Sequence, residues 1–317
     1  MQSLKKVFDL GDECGVLRTS IAITSLIAAF GVAFGLLSGS FSILFDGIYS
    51  LIDAGMSLLA LTVVNLIRVY TGAAAGSRRL RERFTVGFWH LEPMVLGLNG
   101  VLLISVAAYA FFNAVNLLLE GGQELEFGFA IVYAVVTLVA CALAAWLEMR
   151  ANRRIGSDFI ALDVRSWIMS GAITAALLVA FIIGMAVEGT RHGWIAPYVD
   201  PAVLALVCLV LIPLPVATVR QALADIMLVT PPDLKAHVDE VARAMVATHG
   251  FVSFRAYVAR VGRARQIELY FIVPQYAPAR TIAEWDALRD AIGDALGPDS
   301  PDRWLTIIFT GDMEWAE

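Results

Sequence analysis

Charge is what this chain has least of. Asp, Glu, Lys and Arg make up 16% of its 317 residues, against about 25% in a typical soluble domain. Hydrophobic residues make up 59%, and the mean hydropathy is +0.73. That balance excludes an ordinary soluble globular protein for most of the chain. Cysteine is scarce as well. Cys14, Cys141 and Cys208 lie far apart, without the spacing of a metal site, and fit small apolar fillers better than a disulfide framework. The net charge of −6 leaves no basic footprint for nucleic acid. No nucleophile–base set and no cofactor loop stands out, so neither an enzyme nor a bound cofactor is expected. The opening residues, MQSLKKVFDLGDECG, hold no apolar core ahead of the first long run, so no cleavable signal peptide is expected there.

What the chain does have is long apolar runs. Six of them, at about 17–38, 41–67, 93–119, 127–148, 162–187 and 199–219, can each cross a hydrocarbon core as a helix. That core is roughly 30 Å thick, and a helix rises about 1.5 Å per residue. Six spans put both termini on one side. The basic residues choose which side. Lys5, Lys6, Arg18, Arg68, Arg78, Arg79, Arg81, Arg83, Arg150, Arg153, Arg154 and Arg165 all fall on one side. The other side receives only Arg191, beside Glu120, Glu124, Glu126 and Glu188. The first side, with both termini, is expected to be cytoplasmic, and the chain to be integral to a lipid bilayer, a bacterial inner membrane. Pro213 and Pro215 should end or kink the sixth span, and Arg220–Leu228 should lie at the interface. The order of periodicities after residue 231 is helix, strand, strand, helix, strand, with stops at Gly250, Gly262 and Gly297. The expected division is therefore a membrane domain, 1–228, and a soluble α+β module, 229–317.

One span is unlike the rest. FSILFDGIYSLIDAGMSLL, residues 41–59, carries Asp46 and Asp53 seven residues apart, on one helical face with Tyr49 and Ser50 between them. An ionisable group inside a membrane helix costs roughly 3 kcal/mol or more and usually faces a watery cavity, a partner or an ion. The plainer alternative is a pair of acids near the helix ends, reaching water. Asp53 fits that alternative poorly, because apolar residues continue on both sides of it. Asn99, Asn113 and Asn116 suit hydrogen bonds between helices, and Gly31, Gly35, Ala140 and Ala144 suit close helix contact.

The pattern of Asp46, Tyr49 and Asp53, followed by Asp-Ala-Gly-Met-Ser-Leu, resembles the second membrane helix of the cation diffusion facilitators. Phe84, Gly87, His90 and Glu92 resemble that family's segment before its third helix, and Asp200-Pro201 its lead into the sixth. The likeness runs over about residues 15–315. It implies six transmembrane helices followed by a ferredoxin-like αββαβ cytoplasmic module that pairs in a homodimer. It also implies a divalent metal cation as substrate, carried outward by alternating access in exchange for protons. By that resemblance the metal site takes Asp53 with Tyr49 and Ser170, helped by Ser166, with Asp46 and Asp163 at its two approaches. Departures are plain. Tyr49, Ser166 and Ser170 stand where the family carries stronger ligands, and only Asp163 keeps the acid of its fifth-span pattern. One carboxylate with hydroxyls binds Zn²⁺ weakly and suits a harder, partly hydrated cation. Where the family's cytoplasmic module often binds metal, this chain has Val252, Tyr270 and Arg303. His90 fits a solvated loop residue at least as well as a ligand. A second expectation of another class is a non-transporting membrane partner or sensor.

Overall fold

The computed structural model describes residues 13–71, 82–155 and 158–317. Lys5, Lys6, Arg78, Arg79 and Arg81 of the basic side lie outside the described residues, as do the opening twelve residues. Six helical segments are long and apolar enough to cross a membrane. Five are single helices: α1 (Glu13–Ser38), α2 (Phe41–Thr71), α3 (Leu91–Glu120), α4 (Phe127–Ile155) and α5 (Asp158–Val187). The sixth is a 3-10 turn, Gly193–Ile195, running into α6 (Ala196–Leu211). Pro213 and Pro215 fall in the turns that stop α6, and α7 (Val216–Ile226) resumes beyond them. The helices overrun the apolar stretches because lipid sets only a minimum length and the ends continue into polar sequence.

The chain packs as two compact units. One holds the described residues up to Leu59 together with Leu98–Ala217; the other holds those of Ala60–Gly97 together with Thr218–Glu317. The second unit therefore takes in more than the module expected at 229–317.

In the first unit, α1 and α2 form a hairpin through Gly39, whose φ of +73° is a left-handed conformation that favours glycine. Their backbones touch. A Cβ on Gly35 would sit 2.6 Å from the Leu44 Cα, and one on Gly47 2.5 Å from the Val32 nitrogen. Asp200 fastens the start of α2. Its carboxylate accepts from the Ser40 hydroxyl at 2.6 Å and from the Phe41 and Ser42 amides at 3.0 and 3.4 Å. A helix leaves its first amides without intrahelical partners, and here a side chain from another helix takes two of them. Pro201 lies in the second turn of α6, not at its start. It has no amide to offer the Pro197 carbonyl, and the Gln123 amide takes that carbonyl at 2.8 Å. The Gln123 side chain reaches back to the Gly39 carbonyl, also at 2.8 Å. The ends of three hairpins are thus joined by hydrogen bonds.

In the second unit, α8 (Pro232–His249) ends at Gly250 with φ +68°. β1 (Ser253–Val261) and β2 (Ala264–Ile272) pair antiparallel across a two-residue turn, Gly262-Arg263, with Gly262 at φ +60°. After α9 (Ile282–Ala295), β3 (Arg303–Thr310) joins β2 in parallel, giving the order β1-β2-β3. Val238 and Ala242 of α8 and Leu288 and Ile292 of α9 cover Ile267, Leu269 and Phe271. Arg303 caps the end of α9, donating to the Gly293 and Gly297 carbonyls at 2.9 and 2.6 Å. The hairpin tip also holds the start of α3. Arg263 grips both oxygens of Glu92, at 2.9 and 3.1 Å, and this pairing pushes the Arg263 guanidinium further up from its ordinary value. Trp89 Nε1 donates to Asp302 at 3.1 Å. Gly87, at φ +84°, stands where a Cβ would strike the Trp89 ring.

Two outcomes test this packing. Gly35→Ala should cost about 1–3 kcal/mol through backbone overpacking and lower the thermal midpoint in detergent micelles; an unchanged midpoint would contradict the close approach. In α9, Thr281 and Glu284 form a capping box, and the Thr281 amide and hydroxyl hold the Glu284 carboxyl below its ordinary value. A lowered folded value adds stability above the unfolded Glu range, near pH 4.3, and loses it as pH falls through the folded value. The deficit of Glu284→Ala in amide-exchange protection at the start of α9 should therefore be present at neutral pH and shrink on acidification.

Candidate functional site

α2 brings its two acids to different surroundings. Asp46 lies toward the Asp200 end, and its Oδ2 accepts from the Tyr133 hydroxyl of α4 at 2.6 Å. Tyr133 is fully buried beneath Phe30, ring centroids 5.7 Å apart. Gly31 makes room for this bond, since a Cβ there would stand 3.0 Å from the Tyr133 oxygen. Asp53, two turns further on, is half-buried, with the Asn99 side chain of α3 within hydrogen-bonding reach of it. Asp163 of α5 is close enough to act on the Asp53 charge.

Tyr49 stands near Asp53 and Cys208. Its ring packs on Phe45, centroids 5.5 Å apart, in a cluster with Ala107, Leu204 and Cys208 of α3 and α6. Ser170 looks the other way, accepting a 3.8 Å hydrogen bond from the Cys141 thiol of α4. Ser166 is exposed. Of the six candidate residues, then, Asp53, Tyr49 and Asp163 lie near one another. Asp46 is held by Tyr133, and the side-chain hydrogen bond of Ser170 goes to Cys141. Asp163 has Ser20 of α1 and Glu148 of α4 within hydrogen-bonding reach. Among the described residues no three His, Cys, Asp or Glu side chains come together in a way that could hold a metal ion. His90 is exposed.

The residue pattern does not reveal the roles of four partners in this arrangement. Tyr133 and Glu148 sit in an otherwise apolar span, Asn99 reads only as a generic hydrogen-bonder between helices, and Asp200 reads as part of a helix start. The clue available for Glu148 is an acid placed two residues before a run of arginines, on the helix end expected to be cytoplasmic, where a base is the expected residue.

The chemistry available is that of oxygen. Carboxylate, phenol, amide and hydroxyl groups suit a hard cation that keeps part of its water, or a proton, better than a dehydrated soft one. The model of the cation efflux transmembrane domain matches residues 17–227. The chain is also similar to a protein named zinc transporter ZitB from Pectobacterium atrosepticum, 26% identical over 171 residues, which cover 52% of this chain and 50% of that protein. It thus spans about half the length of the curated relative it matches. With six membrane-crossing helices followed by a small α+β module, and with the family match over α1 to α7, the chain is an integral membrane protein that belongs to the cation efflux family, the cation diffusion facilitators.

Proposed function

We propose that the chain carries a divalent metal cation out of the cytoplasm by alternating access in exchange for protons, with Asp53 as the residue on which cation and proton compete. The observation that carries this is Asp53 itself. It lies in the middle of an apolar helix, half-buried, with a neutral amide and a second acid as neighbours and no basic partner among the described residues. A carboxylate kept from bulk water there is costly unless something positive meets it. A proton and a metal ion meet that need on the same oxygens, so the binding of one displaces the other. The arrangement also fits two approaches. Asp46, bonded to Tyr133, lies toward the side expected to face outward, and Asp163 toward the side expected to face the cytoplasm. The relative's name gives zinc as its cargo. In this chain serines stand at 166 and 170 in place of stronger ligands, and the groups around Asp53 are oxygen donors, which favours a harder, partly hydrated cation. A homodimer with both termini in the cytoplasm of a bacterial inner membrane completes the proposal, and the bias of basic residues supports that orientation.

One observation favours a second reading, a non-transporting partner or sensor: among the described residues no three-ligand cluster forms.

Flux in everted vesicles at matched protein amounts decides between them. Asp53→Asn removes the charge and the proton site while keeping size. Metal efflux driven by a pH gradient should fall to background, and the variant should still elute as wild type, because an amide is cheaper than a charge in the membrane. Normal flux in this variant would remove Asp53 from the mechanism. Absence of flux for every divalent metal in wild type would favour the second reading.

Ser170→Asp tests the fifth span. A carboxylate at that position should raise Zn²⁺ affinity or shift selectivity toward Zn²⁺, by about tenfold for each 1.4 kcal/mol gained. Unchanged flux and selectivity would mean that residue 170 does not face the cation, in keeping with its contact to Cys141.

A further inference from the structure

The end of the first unit where α4 and α5 connect holds a polar cluster of which the transport reading uses Asp163 alone. Ser20 of α1, Glu148 of α4 and Asp163 and Trp167 of α5 meet there. Glu148 is 5% exposed and Ser20 4%, deeper than any other acid of that region. Trp167 Nε1 donates to the Ser20 hydroxyl oxygen at 2.9 Å and to Glu148 Oε1 at 3.0 Å. Asp163 lies within hydrogen-bonding reach of both Ser20 and Glu148. The second oxygen of Glu148, Oε2, is fully buried and accepts no hydrogen bond among the described residues.

A buried carboxylate oxygen without a donor bears the full cost of its lost water. Here a second carboxyl stands beside it, which adds repulsion. The nearby bases do not resolve this. Arg150 stacks over Trp146, while Arg153 and Arg165 line a surface groove. Among the described residues neither Glu148 nor Asp163 forms an ion pair. Trp167 holds Glu148 Oε1 in place and leaves Oε2 without a hydrogen bond among the described residues, so the cluster is short of one positive species.

We propose that Glu148, Asp163 and the Ser20 hydroxyl form a second cation site, which takes a hard divalent ion through oxygen ligands, with water completing its shell. The donor set contains no nitrogen or sulfur, and two carboxylates with one hydroxyl match the preferences of Mg²⁺ or Mn²⁺ more closely than those of Zn²⁺. Asp163 is half-buried, which leaves room for water on that side. The site rests on the transport reading in one respect. Asp163 also acts on Asp53, so the cluster stands at the approach to Asp53 from the side expected to face the cytoplasm and would load the cation there.

Mn²⁺ is the probe, because it prefers oxygen and its paramagnetic signal reports binding directly. The full-length chain in nanodiscs is titrated with Mn²⁺, with electron paramagnetic resonance and calorimetry as readouts. Wild type should bind, and Glu148→Gln, similar in shape and uncharged, should weaken that binding at least about tenfold. Asp53→Asn should keep a binding event of wild-type affinity. A third measurement needs no carboxylate variant. Mn²⁺ should change the part of the intrinsic fluorescence that Trp167→Phe removes, since the indole is bonded to a ligand. Unaltered Mn²⁺ affinity in Glu148→Gln overturns the proposal, as does a silent Trp167 signal. Absence of Mn²⁺ binding in wild type overturns it too, and leaves the two carboxyls sharing a proton only. Binding that persists in a chain without vesicle flux would sink the transport reading and keep the site. Flux without Glu148-dependent binding would do the reverse.

Discussion

The carboxylate of Asp200 fixes where α2 begins. By accepting from the Phe41 and Ser42 amides and the Ser40 hydroxyl, it supplies from α6 the cap that α2 does not carry itself. A buried acid with three donors is tolerable in lipid where a bare one is not. Because a helix turns by a fixed angle per residue, holding its first amides sets the direction of every later side chain. Asp46 meets Tyr133 and Asp53 meets Asn99 because the start of α2 is pinned in rotation and in height. Gln123 secures the same end twice, through Pro197 and through Gly39.

The first unit thus treats its acids in different ways. Asp200 is fully satisfied by donors and is structural. Asp46 has one short bond from a phenol. Asp53 has an amide. Glu148 has an indole on one oxygen and, among the described residues, no hydrogen bond on the other. Among the described residues only Asp200 has donors on both oxygens, and the other three are the ones left with capacity for a cation or a proton. The family's usual ligand positions on α5 hold serines, and Glu148, which the family pattern does not name, stands beside Asp163. The oxygen chemistry of the region is therefore carried by more helices than α2 and α5 alone.

Much of the architecture was legible from the residues. Lipid demands long apolar helices, so six runs read directly as six spans, and Pro213 and Pro215 stop the last one as proline must. The order of the α+β module followed from alternation and from Gly250 and Gly262, each of which takes the left-handed backbone that marks a boundary. The start of α6 was misplaced by a few residues because Pro201 suggests a first turn. Its lost hydrogen bond is compensated by the Gln123 amide from another loop, which no local pattern reveals. The site was legible only in part. Asp46 and Asp53 stand out by charge against an apolar background. Tyr133 and Asn99 matter through partners distant in sequence. Glu148 lies at the end of its apolar run, where an acid reads as reaching water, and its burial depends on Trp167 and Ser20 from two other helices.

The touching backbones of α1 and α2 bear on how this protein can move. Side chains can slip past one another by changing rotamer, but main chains in contact at Gly31, Gly35 and Gly47 have no such freedom. The two helices therefore behave as one stiff lever, and neither can turn about its own axis without prising the other away. A motion that reorients Asp46 or Asp53 must carry α1 with it, including Ser20 at the far end. Whatever happens at the middle of the bundle is then felt at its edge by mechanical necessity, with no chain of side-chain rearrangements in between.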